Sequence, residues 1–132
     1  MKVLKSLLIL MALFTPWLTT VAQEFSPTQG YRLEIADDMA LECTGGVITF
    51  NPVNKKAGSQ VWNIQPSSRK GYYTLVSPMT LMAVDNGNHG SQPGEACPWD
   101  LNPDNSNQHW KIEQVSEGIY TITSGAGGLR LG

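Results

Sequence analysis

The sequence predicts an all-β protein assembled from repeated strand units, and three observations carry that expectation. A block reading Gln60-Val61-Trp62-Asn63-Ile64 returns as Gln108-His109-Trp110-Lys111-Ile112, at an offset of 48 residues. One residue is then lost, and Gly71, Tyr73, Thr74, Leu75 and Ser77 match Gly118, Tyr120, Thr121, Ile122 and Ser124 at an offset of 47. Short alternating apolar and polar segments, bounded by Gly, Pro, Asn and Asp, fill the chain after its leader, where no stretch has the spacing of an amphipathic helix. A repeat of this period implies supersecondary units stacked or arranged around an axis.

The first 22 residues read as a secretory signal peptide. Lys2 and Lys5 precede the apolar run Leu7–Phe14, Pro16 follows, and Thr20-Val21-Ala22 supplies small residues for cleavage after Ala22. The run is too short to span a bilayer, so no membrane insertion is expected. Gln23–Gly132 is then one domain, secreted to the periplasm or the extracellular space, long enough for a real but small core. With Lys2 and Lys5 in the leader, seven basic side chains face eleven acidic ones, which argues against nucleic acid or an anionic membrane as partner. Cys43 and Cys97 would sit in an oxidising compartment, where a disulfide between them is possible and two separately buried thiols are the alternative.

Taken in order, strands are expected at Tyr31–Ile35, Met39–Cys43, Val47–Phe50 and Gln60–Ile64. Asp37-Asp38 and Gly45-Gly46 mark the first two turns, and a polar loop spans Asn51–Ser59. A second quartet follows at Gly71–Ser77, Thr80–Val84, Ala96–Leu101 (interrupted by Pro98) and Gln108–Gln114, with a long Gly/Asn/Ser/Pro loop at Asp85–Gly94. Gly118–Ser124 and Leu129–Leu131 open a third unit that stops at Gly132. The units run over about 30–70, 71–117 and an incomplete 118–132.

The paired Gln-x-Trp motifs, each followed by a Gly-x-Tyr-x-Ile/Leu strand, resemble those of the ricin B-type lectins, which are β-trefoil carbohydrate-binding domains. The resemblance covers Tyr31–Gly132 and implies a β-trefoil with two full repeats and the start of a third. It implies that Trp62, Trp110, Ile64 and Ile112 are shared core residues, and that Gln60 and Gln108 bond loop backbone. It also implies a sugar site in which an aromatic ring stacks on the pyranose while an acidic residue and an amide hold neighbouring hydroxyls.

Carried onto this chain, that pattern is partial. In the first unit Leu41-Glu42-Cys43 puts Glu42 at the acidic position and Phe50 at the aromatic one, with Ser59 in place of the amide. In the second, Ala83 stands at the acidic position with Asp85 two residues on, Trp99 is close to the aromatic position and Asn107 matches the amide. In the third, Arg130 takes the acidic position. The second unit, with Trp99, Asn107 and Asp85 or Asp100, is the best candidate.

Catalysis is not expected. Asp37-Asp38 lie on a turn where their carboxylates diverge, and no nucleophile motif is present. Neither His89 nor His109 has metal-ligand spacing, and Asp100–Asp104 lacks the Gly and Glu that a calcium loop requires. No metal or cofactor is expected. The chain therefore reads as a secreted, non-catalytic lectin for galactose-, mannose- or xylose-type glycans, with possible self-association to complete the third repeat. The alternatives are a protein-interaction module, such as a trefoil-type protease inhibitor presenting Asp85–Glu95, or an inactive fragment of a longer lectin.

Overall fold

A computed structural model describes residues 1–6, 25–88 and 94–132. Among them the elements are strands joined by turns and two 3₁₀ turns, in the order β1 Lys2–Ser6, β2 Gly30–Ile35, β3 Met39–Thr44, β4 Val47–Pro52, β5 Trp62–Pro66, β6 Tyr73–Val76, β7 Met82–Asp85, β8 Cys97–Asp100, β9 Trp110–Ser116, β10 Ile119–Ser124 and β11 Arg130–Leu131. The expected strands are present with shifted ends. Gln60 and Gln108 close the 3₁₀ turns Gly58–Gln60 and Ser106–Gln108 instead of opening strands, because the Gln60 amide donates to Ala57 O at 3.1 Å and the Gln108 amide to Asn105 O at 2.9 Å.

Six strands close a ring. β2 pairs with β5, β5 with β6, β6 with β9 and β9 with β10, all antiparallel, and β1 joins β10 back to β2. The hairpins β3–β4 and β7–β8 cap this barrel, and β11 begins a third hairpin against β10. Inside lie Tyr31, Leu33, Trp62, Ile64, Leu75, Trp110, Ile112, Tyr120 and Ile122, the inward alternates of the ring strands. Burying each large side chain contributes about 1.5–3 kcal/mol, so this row accounts for most of the core's stabilisation.

β1 departs from the sequence expectation. Residues 1–22 read as standing outside the fold, yet Lys2–Ser6 takes the sixth barrel position, and Leu4 is only 5 % exposed. The physical reason is a pair of sheet edges. β10 and β2 each present an edge here, and the short apolar-centred segment pairs with both.

β2 also differs, since its second face is covered too. Arg32 and Glu34 are buried there, and the Arg32 Nε–Glu34 Oε1 contact of 2.6 Å lets the two charges neutralise each other. The turn after β2 places Asp37 and Asp38 at φ 64° and 54°, the left-handed pair that a tight hairpin needs and that aspartate tolerates.

The possible disulfide is corrected. Cys43 and Cys97 are both free thiols: Cys43 lies opposite Ile48 within the first hairpin, while Cys97 lies opposite Asp85 within the second. Burial pushes both thiols up, against a Thr80 hydrogen bond at Cys43 and with help from the Asp85 carboxylate at Cys97. Burial, and then Tyr31, push the Tyr120 phenol up as well. Raised folded-state values mean stability that is present below the ordinary thiol and phenol ranges and lost as pH rises through and above them. The urea midpoint of the full chain is therefore expected to fall steadily on going alkaline, and alkylation of both thiols to be slower than that of a free cysteine at equal pH. A midpoint that rises with pH contradicts this arrangement.

Candidate functional site

The Gln-x-Trp residues define the frame from which the site is built. Trp62 Nε1 donates to Leu41 O at 2.9 Å, and Trp110 Nε1 to Val84 O at 2.8 Å. Gln60 donates from Nε2 to Pro52 O and accepts from the Asn54 amide, both at 2.9 Å. Gln108 repeats this with Asp100 O and the Asn102 amide, again both at 2.9 Å. Both glutamines are buried, and each ties its 3₁₀ turn to the end of the capping hairpin. All four side chains are structural.

These bonds give the equivalences between units directly. Leu41 corresponds to Val84 and Pro52 to Asp100, so Glu42 corresponds to Asp85 and Asn51 to Trp99. The acidic position of the second unit is thus held by Asp85, where the sequence reading put Ala83. The difference comes from turn length, since the Ser77–Met82 turn and the Ile35–Met39 turn do not match residue for residue.

Glu42 and Phe50 are not brought together. Leu41 lies opposite Phe50 and Glu42 opposite Thr49, so strand alternation sends Glu42 and Phe50 to opposite faces. Phe50 packs on the core, and Glu42 Oε1 accepts from Asn51 Nδ2 at 2.9 Å. The first unit therefore lacks a ring beside its acid. In the third unit Arg130, exposed opposite Thr123, corresponds to Ala83 and not to the acidic position, which the same register gives to Gly132, so no carboxylate stands there.

The second unit holds more of the pattern. Trp99 lies on β8 opposite Ala83, 50 % exposed, on the same face as Asp85 two residues along. Asp85 is fully buried, and its Oδ1 accepts from the Gly87 amide at 2.8 Å. It is corrected from a direct sugar acceptor to a residue that shapes the Asp85-Asn86-Gly87 turn. Asp100 is exposed, but alternation puts its side chain on the face away from Trp99. Asn107 is half-buried in the middle of its 3₁₀ turn, donating from Nδ2 to Asn88 O at 3.2 Å.

Asn86, which the sequence reading passed over as loop, joins these parts. Its amide donates to Asn107 O at 2.9 Å, and its side chain donates to Ser124 Oγ at 2.8 Å and Ala126 O at 2.7 Å. Its Oδ1 accepts from the Asn88 amide at 2.9 Å. Asn86 thereby ties the Asn107 turn and the start of the long loop to the third unit. The only signal for it was the Asp-Asn-Gly triplet, which predicts a turn but says nothing of burial. Residues 89–93, which include His89 and the tip of the long loop, lie outside the described residues.

The second unit thus presents a half-exposed aromatic ring at Trp99 and a partly exposed side-chain amide at Asn107, with Asp85 buried in the turn. Among the described residues no group of three His, Cys, Asp or Glu side chains is placed to hold a metal, and no helix is long and apolar enough to cross a membrane. The ricin-type β-trefoil lectin domain-like family model matches residues 58–132, from the first 3₁₀ turn through the second and third units. The chain belongs to that family.

Solved structures place this ricin-type domain among β-trefoils. The designed three-fold symmetric protein ThreeFoil is 21 % identical with a TM-score of 0.60, over 70 % of this chain and 69 % of that one. The cytolethal distending toxin of Haemophilus ducreyi is 13 % identical with a TM-score of 0.63, over 82 % and 68 %. The Polyporus squamosus lectin, solved with a Neu5Ac-Gal-GlcNAc epitope, is 18 % identical with a TM-score of 0.55, over 73 % of this chain and 39 % of that one. At these identities the likeness is one of fold. No curated protein sequence is significantly similar to this chain.

Proposed function

We propose that this ricin-type domain is a secreted, non-catalytic glycan-binding protein whose site lies on the second unit around Trp99 and Asn107. The observation that carries the reading is Trp99: a large aromatic side chain held half-exposed on a short strand of a lectin-family scaffold. Its apolar face fits the C–H face of a pyranose, while the Asn107 amide and neighbouring loop carbonyls fit hydroxyls. With the acid buried in the turn, recognition rests on stacking and amide contacts, so affinity per site is weak and self-association would supply avidity. The glycan is of galactose, mannose or xylose type.

The test is calorimetric titration of the full chain with glycans of those three types. One is expected to bind saturably, and Trp99→Ala to weaken that binding about tenfold or more, equivalent to about 1.4 kcal/mol, with the circular dichroism unchanged. Saturable binding that survives Trp99→Ala would place the site elsewhere. The apolar neighbours favour a second reading, a protein-recognition module. Leu81, 71 % exposed at φ 61°, and Leu101 lie near Trp99 at the open end of the β7–β8 hairpin. A glycan panel with no response would move the weight there.

A further inference from the structure

One row of side chains crosses neighbouring strands on the outside of the barrel. Lys111 lies opposite Thr123 in the β9–β10 pair, and Thr123 lies opposite Arg130 in the β10–β11 pair. On the other side of β9, Tyr73 is opposite Trp110, so the same antiparallel register sets Tyr72, just ahead of β6, beside Lys111. The neighbours Trp110, Ile112, Ile122 and Leu131 are buried, and alternation therefore turns Lys111, Thr123 and Arg130 outward. Lys111 and Arg130 are exposed, while Tyr72 and Thr123 are half-buried.

Arg69 extends the row. Its guanidinium carbon sits 3.8 Å from the centre of the Tyr72 ring, and Nη1 donates to Gly125 O at 3.2 Å. The stack and that bond hold the cation in place before any ligand arrives, which lowers the ordering cost of a contact. Position 125 has to be glycine, since a Cβ there would stand 2.8 Å from Tyr72 Cε1 and 3.1 Å from Arg69 Nη1. Glu113, in contact at 3.0 Å, holds the Lys111 ammonium above the ordinary lysine range, with help from Tyr72 and against Arg69, so both of these lie within reach of its charge.

Three of the chain's nine basic side chains thus line one stripe, in a molecule whose net charge is −2. A cationic stripe on an acidic background reflects placement rather than composition. Lys111 and Arg130 stand two strands apart, about 10 Å, and Arg69 continues the series beyond Lys111. Two pyranose rings of a linear chain cover a comparable span. A polysaccharide with an acidic group on every second ring would therefore meet one cation after another, with Tyr72 and Thr123 set between them to bond hydroxyls. The Lys111–Glu113 pair is half-exposed on both sides and so a weak competitor.

We infer that the Arg69–Tyr72–Lys111–Thr123–Arg130 row is a binding site for a linear acidic polysaccharide. It shares no residue with Trp99 and Asn107 and does not rest on their reading.

The test is a fluorescence-anisotropy titration of fluorescein-labelled hyaluronan, a linear polysaccharide with one carboxylate per disaccharide, with the full chain at low salt. Labelled dextran, which is neutral, and a single-stranded oligonucleotide of equal total charge are the controls. Saturable hyaluronan binding is expected, weakened by added salt, with neither control binding comparably. Substituting Lys111→Gln and Arg130→Gln together is expected to weaken it about tenfold, and Glu113→Gln to strengthen it about threefold by removing the competing carboxylate. All three side chains are exposed, so the circular dichroism should not change.

No saturable uptake of hyaluronan overturns the inference, as does a folded double variant that binds it unchanged, or a Glu113→Gln chain that binds it more weakly. Equal or tighter binding of the oligonucleotide overturns the ligand class and gives the row to nucleic acid. A failed titration with neutral glycans leaves this result separate, because neither Trp99 nor Asn107 belongs to the row.

Discussion

Trp110→Ala is expected to cost the full chain about 3–5 kcal/mol in urea unfolding, the range for deleting a buried large aromatic. Trp110 is fully buried among Tyr73, Ile112 and the rest of the barrel interior, so its removal leaves a cavity that six hydrogen-bonded strands have little freedom to close. It also removes the donor to Val84 O, which then sits buried without its 2.8 Å partner. Against a typical total of about 5–15 kcal/mol, this is enough to leave part of the population unfolded. Trp110→Phe separates the two effects. It keeps much of the volume and loses the indole N–H, and is expected to cost about 1–3 kcal/mol through the orphaned carbonyl. A loss below about 1 kcal/mol for Trp110→Ala would show that the barrel is not packed around this residue.

Gln108→Glu is the second large effect, and its pH dependence carries the information. The glutamine donates to Asp100 O and accepts from the Asn102 amide in a fully buried setting. A carboxylate can still accept from Asn102, but it has no proton for Asp100 O and would carry a desolvated charge against that carbonyl. The folded-state value of such a glutamate lies above its unfolded value, so the variant regains stability as pH falls and loses it as pH rises. At neutral pH the loss is expected at about 2–4 kcal/mol, and at pH 4 to be clearly smaller. Gln108→Ala should show a similar loss with no such recovery. Since Gln108 anchors the turn that carries Asn107, both variants should also weaken glycan binding. Flat stability from pH 4 to 7 for Gln108→Glu would mean that this side chain leaves its two partners.

The parts of the fold written in residue identity were legible in the sequence. Gln-x-Trp recurs because the same two backbone bonds and the same indole–carbonyl bond are made in each unit, and that chemistry admits few substitutes. The hairpin strands were legible because alternation follows directly from a half-buried sheet. β1 was not, since Lys2-Val3-Leu4-Lys5 has the same composition whether it heads a leader or fills a barrel edge. At the site, Trp99 and Asn107 could be picked out by their distance from Gln108. The acid was legible only in part, because registration from the motif across a turn of different length lands on Ala83 with Asp85 two residues on, while the Trp110–Val84 bond shows that Asp85 is the counterpart of Glu42. Nor does any pattern in the sequence say that Asp85 and Asn86 turn inward.

Ring closure has a consequence in time. The β1–β10 pairing joins segments far apart in the sequence, so the barrel cannot shut until β10 and β2 have both formed. Contacts this distant in sequence carry the largest loop-closure entropy and form late. Closure of the barrel therefore waits on a pairing as distant in sequence as Lys5 with Ile119. Whatever holds Lys2–Ser6 elsewhere leaves that barrel position open for as long as it holds it.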